Sequence, residues 1–574
     1  MKARGTPAER ARSARRPLWR PRHEALLGSL LLAIHAALAL WGAASNSVTF
    51  DENFHVPDGV VVVSRGDFAV SPVNPPLVKA AQGLAALAAG AKLPAVAAVA
   101  THDQWVVGES FMRANADRYH RVFLAARVVV ILLSVALGLL VWVFARRLYG
   151  PAGGLLALGF YAFSSEALAH AGVATLDLAT GLAITAALYA FWMFTRTGSW
   201  RWWAILAIVV GLAALTRFTT VTLAPMLVIL TALGTLLRRI RRPARVWAGL
   251  ALLPLTTLAM LQIGYGGRTS WQPLAEQTFQ SRNFRSLQQM APWLRLPVPD
   301  AFVRGLDIQG REGQGGTPTY LAGQVRTGRV WTYFPLALLA KWPLGLLAAL
   351  PARAWVMARR RRRRWHECFV VLPMALLLLA GMAVLTLNIG IRYLFPIVPL
   401  VCVWLGGFVD PAPAPRRQRS ARRWARLGTT LALLQAIEVS SASPWYLAFF
   451  NRALGGVGGG YWLVNDSNVD WGQGLIALRE ELRRRGITQI NLTYHGTTDP
   501  AVYGIEYLPY LGGDPDRRSE WIAVSSYYYV GLWQRMTTRE GRTPLPARID
   551  FSGLWNQRPV ARPAGCIYLY RVER

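Results

Sequence analysis

The chain has 574 residues, 53% of them hydrophobic and 23 of them Trp, with a mean hydropathy of +0.27. Its 63 Lys and Arg against 30 Asp and Glu give a formal charge of +33. In a soluble protein that charge would suggest a nucleic-acid partner; here the arginines flank apolar runs, which argues against nucleic acid and for a membrane protein with basic connections on its cytoplasmic side. The three cysteines, Cys368, Cys402 and Cys566, are scattered and suggest neither a disulfide framework nor a zinc site.

In chain order, a basic tail over 1–24 precedes the apolar run "ALLGSLLLAIHAALALWGAA". No convincing small-residue cleavage site follows, so the run reads as a retained signal-anchor. Apolar runs near membrane-spanning length predict about eleven helices, at roughly 25–45, 122–145, 152–168, 177–195, 201–217, 219–237, 245–264, 331–352, 368–387, 391–409 and 427–444. The pair broken at "LTRFTT" reads as a tight hairpin. The N-terminal tail and the connections "ARRLYG", "TRTGSWRWW", "LRRIRRPAR", "ARRRRRRWHE" and "RRQRSARRWAR" fall on alternate sides of successive spans, so all six lie on one face, the cytoplasm. The expected organisation is a transmembrane domain over 25–444, with outer loops at 46–121 and 265–330, and a small extracytoplasmic α/β domain over 445–574. In that last part, short β-type segments alternate with turns, and "DWGQGLIALREELRRRG" forms an amphipathic helix closed by Gly. No internal repeat of 20–50 residues is apparent.

Charged residues from distant parts of the chain gather on the outer side. "VTFDENFHVPDGV" puts Asp51, Glu52 and His55 just past the first span, and ionisable groups beside a bilayer usually mark function. Asn74-Pro75-Pro76 predicts an extended turn. Lys79 then opens an Ala-rich stretch, 77–100, that re-enters or lies along the interface. Asp177 begins the fourth span, Arg217 ends the fifth and Arg392 begins the tenth. Each has a plainer reading: Asp177 as a helix cap, Arg217 and Arg392 as snorkelling side chains, Lys79 as an interfacial anchor. Together they are less easily explained, because short outer turns are poor in Lys and Arg. A carboxylate can take a proton from an acceptor hydroxyl and cations can stabilise a departing phosphate, which at this boundary would be carried by a lipid.

"DENFHVPDGVVVVSRGDF…NPPLVK" resembles the first-loop signature of polytopic glycosyltransferases that use polyprenyl-phosphate sugars, the family 39 enzymes related to protein O-mannosyltransferases and the aminoarabinose transferase of lipid A. "PTYLAGQVRTGRVWTYFPLALLAKWPLG" (318–345), "GIRYLFPIVPL" (390–400) and "YLAFFNRALGGVGGGYWLVNDSNVDWGQGL" (446–475) are similar in the same order. The resemblance implies a polytopic α-helical membrane fold of the GT-C type, Asp51 as the catalytic acidic residue with Glu52 beside it, and Asp177 as a second acidic position. It also implies donor-phosphate binding by Lys79, Arg217 and Arg392. It implies a polyprenyl-phosphate sugar donor, a lipid, glycan or protein acceptor, and membrane lipids as surroundings. The loop 265–330 is too short for the β-trefoil insert of eukaryotic protein O-mannosyltransferases, so acceptor type does not carry over.

In "NDSNVDWGQGL", Asp466 and Asp470 have calcium-loop-like spacing but lack the loop's Gly and terminal acidic ligand, so they and Trp471 read as a structural turn or an acceptor contact. Asp51, Glu52 and His55 could together hold a divalent metal ion, as some relatives do. The expected activity is sugar transfer on the outer face, by a single inverting displacement. A flippase or transporter of a lipid-linked sugar is the alternative, but would want mid-bilayer charges and related halves. Arg-, Ala- and Gly-rich usage fits a GC-rich bacterium, hence a multi-pass protein of the inner (plasma) membrane with its active site on the periplasmic or extracellular side.

Overall fold

A computed structural model describes residues 21–315, 317–359, 364–409, 418–512, 518–532, 536–538, 541–543 and 551–572. The basic tail before residue 21 and the arginine run 360–363, both expected as cytoplasmic anchors, lie outside the described residues.

Among the described residues, six helices are long and apolar enough to cross a bilayer: Arg22–Ser45, Ala116–Tyr149, Asp177–Thr197, Phe218–Leu236, Pro243–Gly264 and Trp365–Ala383. Two bent pairs, Pro151–Ala162 with Ser165–Ala171 (60°) and Tyr333–Lys341 with Leu344–Arg359 (113°), bring the count to eight if each is one broken span. The remaining three expected spans are helical but weaker. Trp200–Ala214 and Ile397–Phe408 are apolar and short, and Gln418–Ser440 carries Arg419, Arg422, Arg423 and Arg426 in its first half. Length and composition therefore support six to eight spans of the eleven expected. The Asp177–Thr197 helix is the central one: 78% of its apolar window is buried within the protein, against 22% for the rim helices Arg22–Ser45 and Pro243–Gly264, whose apolar sides face outward.

The chain does break near 215–217, where Arg217 adopts extended backbone (φ −161°, ψ 144°). The expected tight hairpin does not follow. Trp200–Ala214 packs on Asp177–Thr197 and Pro243–Gly264, while Leu223–Leu236 packs on Pro243–Gly264 and Arg364–Ala383. Arg217 thus sits in a turn at a helix end rather than in mid-span.

The loop over 46–121, expected on the outer side, is helical. Glu52–Arg65 is followed by Pro76–Ala88, with Pro76 in the first turn, where its missing N–H costs nothing, and then by Gln104–Ala114. The first two helices touch backbone to backbone. A Cβ on Gly59 would lie 1.9 Å from the Lys79 carbonyl oxygen, and one on Gly83 would lie 2.2 Å from the Gly59 carbonyl carbon. One face of the stretch expected to re-enter or lie along the interface packs on protein, burying Val78, Lys79, Gln82 and Ala86, while Leu77 and Leu84 stay exposed on the other. Its Gly and Ala residues permit close helix crossing, which composition does not distinguish from an interfacial helix.

The loop over 265–330 holds the helix Asp300–Gly315 and an antiparallel ribbon, Thr319–Leu321 with Gln324–Arg326. After residue 445 comes a mixed four-stranded sheet in the order Tyr507–Pro509, Ile490–Thr493, Trp521–Ser525, Ile567–Arg571, with the last pair antiparallel. The helix Leu475–Arg485 ends at Gly486, in the left-handed region (φ 68°), as its Gly predicted.

Candidate active site

Asp51 stands at the N-cap of the Glu52–Arg65 helix, yet its side chain caps nothing. Its Oδ2 instead accepts from Nη1 of Arg392, 341 positions away, at 2.5 Å. Oδ1 has no hydrogen-bond partner among the described residues. Asp177 lies in the first turn of the central helix, where the helix dipole favours a carboxylate. Its Oδ1 accepts from Arg217 Nη1, and its Oδ2 lies 3.9 Å from Arg392 Nη1. The order is therefore carboxylate, guanidinium, carboxylate, guanidinium: Asp51, Arg392, Asp177, Arg217.

These four side chains line one cavity of about 720 Å³. Its walls differ in character. Val384, Leu385, Leu387 and Ile389 form an apolar side, and Asn74, Gln104, Gln309 and Glu312 a polar one. Tyr393 lies beneath both arginines, 5.3 Å from Arg217 and 5.2 Å from Arg392, and the Trp471 ring lies 4.1 Å from the Arg392 guanidinium. The Nε–H groups of Arg217 and Arg392 are both buried without an acceptor among the described residues. Buried donors are normally satisfied, so the pair has capacity for one more anionic group.

His55, one turn after Asp51, also lines the cavity. Burial pushes its imidazole well below the usual range, reinforced by the charges of Lys79, Arg217 and Arg392, so it is neutral at physiological pH. Its Nδ1 has no partner.

Glu52 is not part of this wall. It is fully buried, and its carboxylate takes a two-pronged pair from Arg127, with Nε–Oε1 and Nη2–Oε2 both 2.7 Å. It also accepts from the backbone N–H groups of Thr49 and Ala174. Burial alone would raise its pKa, but Arg127 and these N–H groups outweigh burial and hold it below the usual carboxylate value. Glu52 thus fixes the turn that presents Asp51, which corrects the expectation of a catalytic role. The metal trio fails for the same reason: Glu52 turns away from Asp51 and His55. Among the described residues no group of three His, Cys, Asp or Glu side chains is placed to hold a metal ion.

Lys79 is likewise removed from the cavity. It is 2% exposed, its Nζ lying 2.5 Å from Asp58 Oδ2 and donating to the Ser71 carbonyl at 2.7 Å. Burial raises the Asp58 carboxyl, with Lys79 opposing. Lys79 is thus engaged in an interior ion pair between the Glu52–Arg65 and Pro76–Ala88 helices rather than presented to the cavity.

Asp466 and Asp470 do not line the cavity. Asp470 accepts from the Ser525 hydroxyl and from Gly472 N–H. Asp466, in the left-handed region (φ 61°), accepts from Ser467 N–H at 2.6 Å. Burial pushes both carboxyls up to about 7. Both side chains bond within the turn, as the structural reading of this segment expects. Sequence reasoning missed Glu312, Gln309 and Tyr393 in the walls. Tyr393 was findable beside Arg392; no signal in 300–315 marked the other two.

The fold and the cavity define a membrane protein with a charged pocket, lined on one segment by apolar side chains, among its helix ends. Comparison with known proteins narrows the class. Residues 119–261 match the model of the dolichyl-phosphate-mannose-protein mannosyltransferase family. That stretch lies between the motif blocks at 48–79 and 318–345, so it supports the resemblance to membrane glycosyltransferases independently of them. Among solved structures, the chain is similar to ArnT from Cupriavidus metallidurans bound to undecaprenyl phosphate, with 12% identity, 94% of this chain and 97% of that one covered, and a TM-score of 0.47. It is also similar to the Archaeoglobus fulgidus oligosaccharyltransferase in complex with Zn and sulfate (11%, 87% and 69%, 0.44) and to the S. cerevisiae Pmt1-Pmt2 complex bound to the sugar donor (16%, 55% and 40%, 0.33). No curated protein sequence matches.

Proposed function

We propose that this protein is an inverting glycosyltransferase that moves a sugar from a polyprenyl-phosphate carrier to an acceptor on the outer face of a bacterial plasma membrane. The observation that carries the reading is the pair of guanidiniums, each with a buried Nε–H lacking an acceptor, set between two carboxylates in one cavity with an apolar wall. The phosphate would engage Arg392 and Arg217, with the prenyl chain along 384–389. Asp51 Oδ1 takes the proton of the acceptor hydroxyl as its oxygen attacks the anomeric carbon. The bond from that carbon to the phosphate oxygen breaks, and polyprenyl phosphate leaves with the electron pair.

Asp177 serves better as a partner for the guanidiniums than as a nucleophile. It is 1% exposed and one oxygen is held by Arg217, which supports one displacement over two. A lipid, a glycan or a protein could each supply the acceptor hydroxyl. The test is incubation of the detergent-purified protein with polyprenyl-phosphate sugars and candidate acceptors, following free polyprenyl phosphate by mass spectrometry. Release that depends on the acceptor supports transfer. A flippase releases none where no compartments exist, and no release with any donor would refute the reading.

A further inference from the structure

Asp51 and Arg392 stand on two segments remote in sequence, and a third segment, 465–473, holds both. On the Asp51 side, Ser47 N–H donates to the Gln473 carbonyl (3.0 Å), Ser47 Oγ to the Gly472 carbonyl (2.8 Å) and Phe50 N–H to the Trp471 carbonyl (2.8 Å). On the Arg392 side, Ser467 Oγ donates to the Ile389 carbonyl (2.6 Å) and Ile391 N–H to Asn468 Oδ1 (3.1 Å). The contact is close at Gly390, where an added side chain would displace the Ser467 hydroxyl. A Cβ on Gly390 would lie 2.1 Å from Ser467 Oγ. Its φ of 172° is extended backbone open to any residue, so room is what glycine supplies. The third segment is itself anchored, because buried Lys341 donates to the carbonyls of Asn468 (2.6 Å) and Leu447 (2.8 Å).

We infer that segment 465–473 is the positioning template of the site, with Trp471 as its working surface. It sets the separation of Asp51 and Arg392, and through it the affinity for the phosphate of a polyprenyl-phosphate ligand. The inference rests on the reading of Arg392 as a phosphate-binding group. A ring face attracts a guanidinium without using up its N–H donors, so Trp471 can seat Arg392 at 4.1 Å and leave its edges to carboxylate or phosphate. Without that seat, Arg392 is free to exchange Asp51 for Asp177, now 3.9 Å away, and the Nε–H offered to the phosphate moves with it. Trp471 is therefore a positioning residue, acting through Arg392.

The test compares polyprenyl phosphate with the neutral polyprenol, each titrated against the full-length protein in detergent by native mass spectrometry. The wild type should favour the phosphate. Trp471→Leu should weaken phosphate binding by about three- to thirtyfold, the range of a cation–π contact, and leave polyprenol binding unchanged. Trp471→Phe should restore it to within about threefold. Gly390→Ala and Ser467→Ala perturb the same seat from the other side and should lower the same preference; they carry the test if Trp471→Leu fails to fold. Trp462→Leu, an exposed site on the same part of the chain, should change nothing. Equal loss of both ligands, without rescue by Phe, would reduce Trp471 to packing and overturn the inference. So would an unchanged preference in the Leu, Gly390 and Ser467 variants. A wild type that does not distinguish phosphate from alcohol would instead refute the phosphate-binding reading beneath it.

Discussion

Replacing Asp51 by Asn should separate catalysis from binding. The side chain has two tasks: Oδ2 pairs with Arg392 at 2.5 Å, and Oδ1 is left for the acceptor's proton. The amide keeps the volume, so the cavity is preserved, but it accepts no proton at working pH. Loss of a general base costs about 10²–10⁴ in rate, and transfer should fall by that much. Binding should move the other way. An incoming phosphate competes with Asp51 for Arg392, and the amide removes the competitor while Asp177 remains 3.9 Å away. A hydrogen bond to a charged group contributes about 1.5–3 kcal/mol, and about 1.4 kcal/mol is tenfold in affinity. Polyprenyl phosphate should therefore bind at least about tenfold more tightly to the variant. Turnover comes from mass-spectrometric release of polyprenyl phosphate, with the amide confirmed on the intact protein, and affinity from titration in the same detergent. Turnover within about threefold of wild type would exclude Asp51 as the base. Parallel loss of turnover and affinity would mean that Asp51 holds Arg392 in shape rather than competing for it.

Lys79→Met should lower thermal stability and leave polyprenyl-phosphate affinity nearly unchanged, because breaking a buried pair costs about 3–5 kcal/mol; the double change with Asp58→Asn should recover most of the loss, and a stable variant that no longer binds polyprenyl phosphate would make Lys79 a donor ligand after all. Asp466 and Asp470 have folded-state carboxyls raised to about 7 by burial, so the folded state binds more protons between about pH 4 and 7. Their stabilising contribution is complete below about pH 4 and fades as pH rises through 7. Thermal melts should therefore show stability falling between about pH 4 and 7 and levelling above, and Asp470→Asn should flatten the slope; an identical slope in that variant would remove Asp470 as its source. A cysteine placed at Glu506, with the three native cysteines replaced, should react with an impermeant maleimide in intact spheroplasts; reaction only after lysis would put the sheet after residue 445 on the cytoplasmic side and separate it from the outer loops.

The convergence of Asp51, His55, Asp177, Arg217 and Arg392 was legible in the sequence because hydropathy assigns span ends, and charges at span ends on one side must lie near each other. Its limits show in Glu52 and Lys79. Both belong to the motif by position, yet each is consumed by an interior partner: Glu52 by Arg127, which lies outside any local pattern, and Lys79 by Asp58, which the motif contains without marking as its partner. A motif read along the chain cannot separate a carboxylate that faces a cavity from its neighbour that fixes the turn behind it. That distinction depends on which way the first helical turn faces, and it was decided here by a guanidinium 75 residues downstream. The apolar runs were also harder to count than to find. Bends of 60° and 113° leave composition unchanged while altering whether a run is one span or two half-spans. Glu312 and Gln309 come from a loop helix whose packing on the cavity is set by tertiary contacts alone.

The charges of the cavity explain why it needs both carboxylates and both arginines. The formal charges of Asp51, Arg392, Asp177 and Arg217 sum to zero, with Glu312 a further acidic group in the wall. In the proposed transfer the donor brings one negative charge as a phosphodiester and leaves behind a phosphomonoester that tends toward two. The acceptor's proton goes to Asp51 in the same step, cancelling the charge to which Arg392 was tied. Arg392 is thus released from its carboxylate as the departing phosphate gains the charge to hold it. Stabilisation is then greater for the transition state and product than for the bound donor, which is the direction that lowers a barrier. Two arginines without Asp51 would grip donor and product alike; Asp51 without Arg392 would be a base beside an unassisted leaving group. The tighter polyprenyl-phosphate binding expected of Asp51→Asn is this exchange of partners measured at rest, with the amide standing in for the protonated carboxyl.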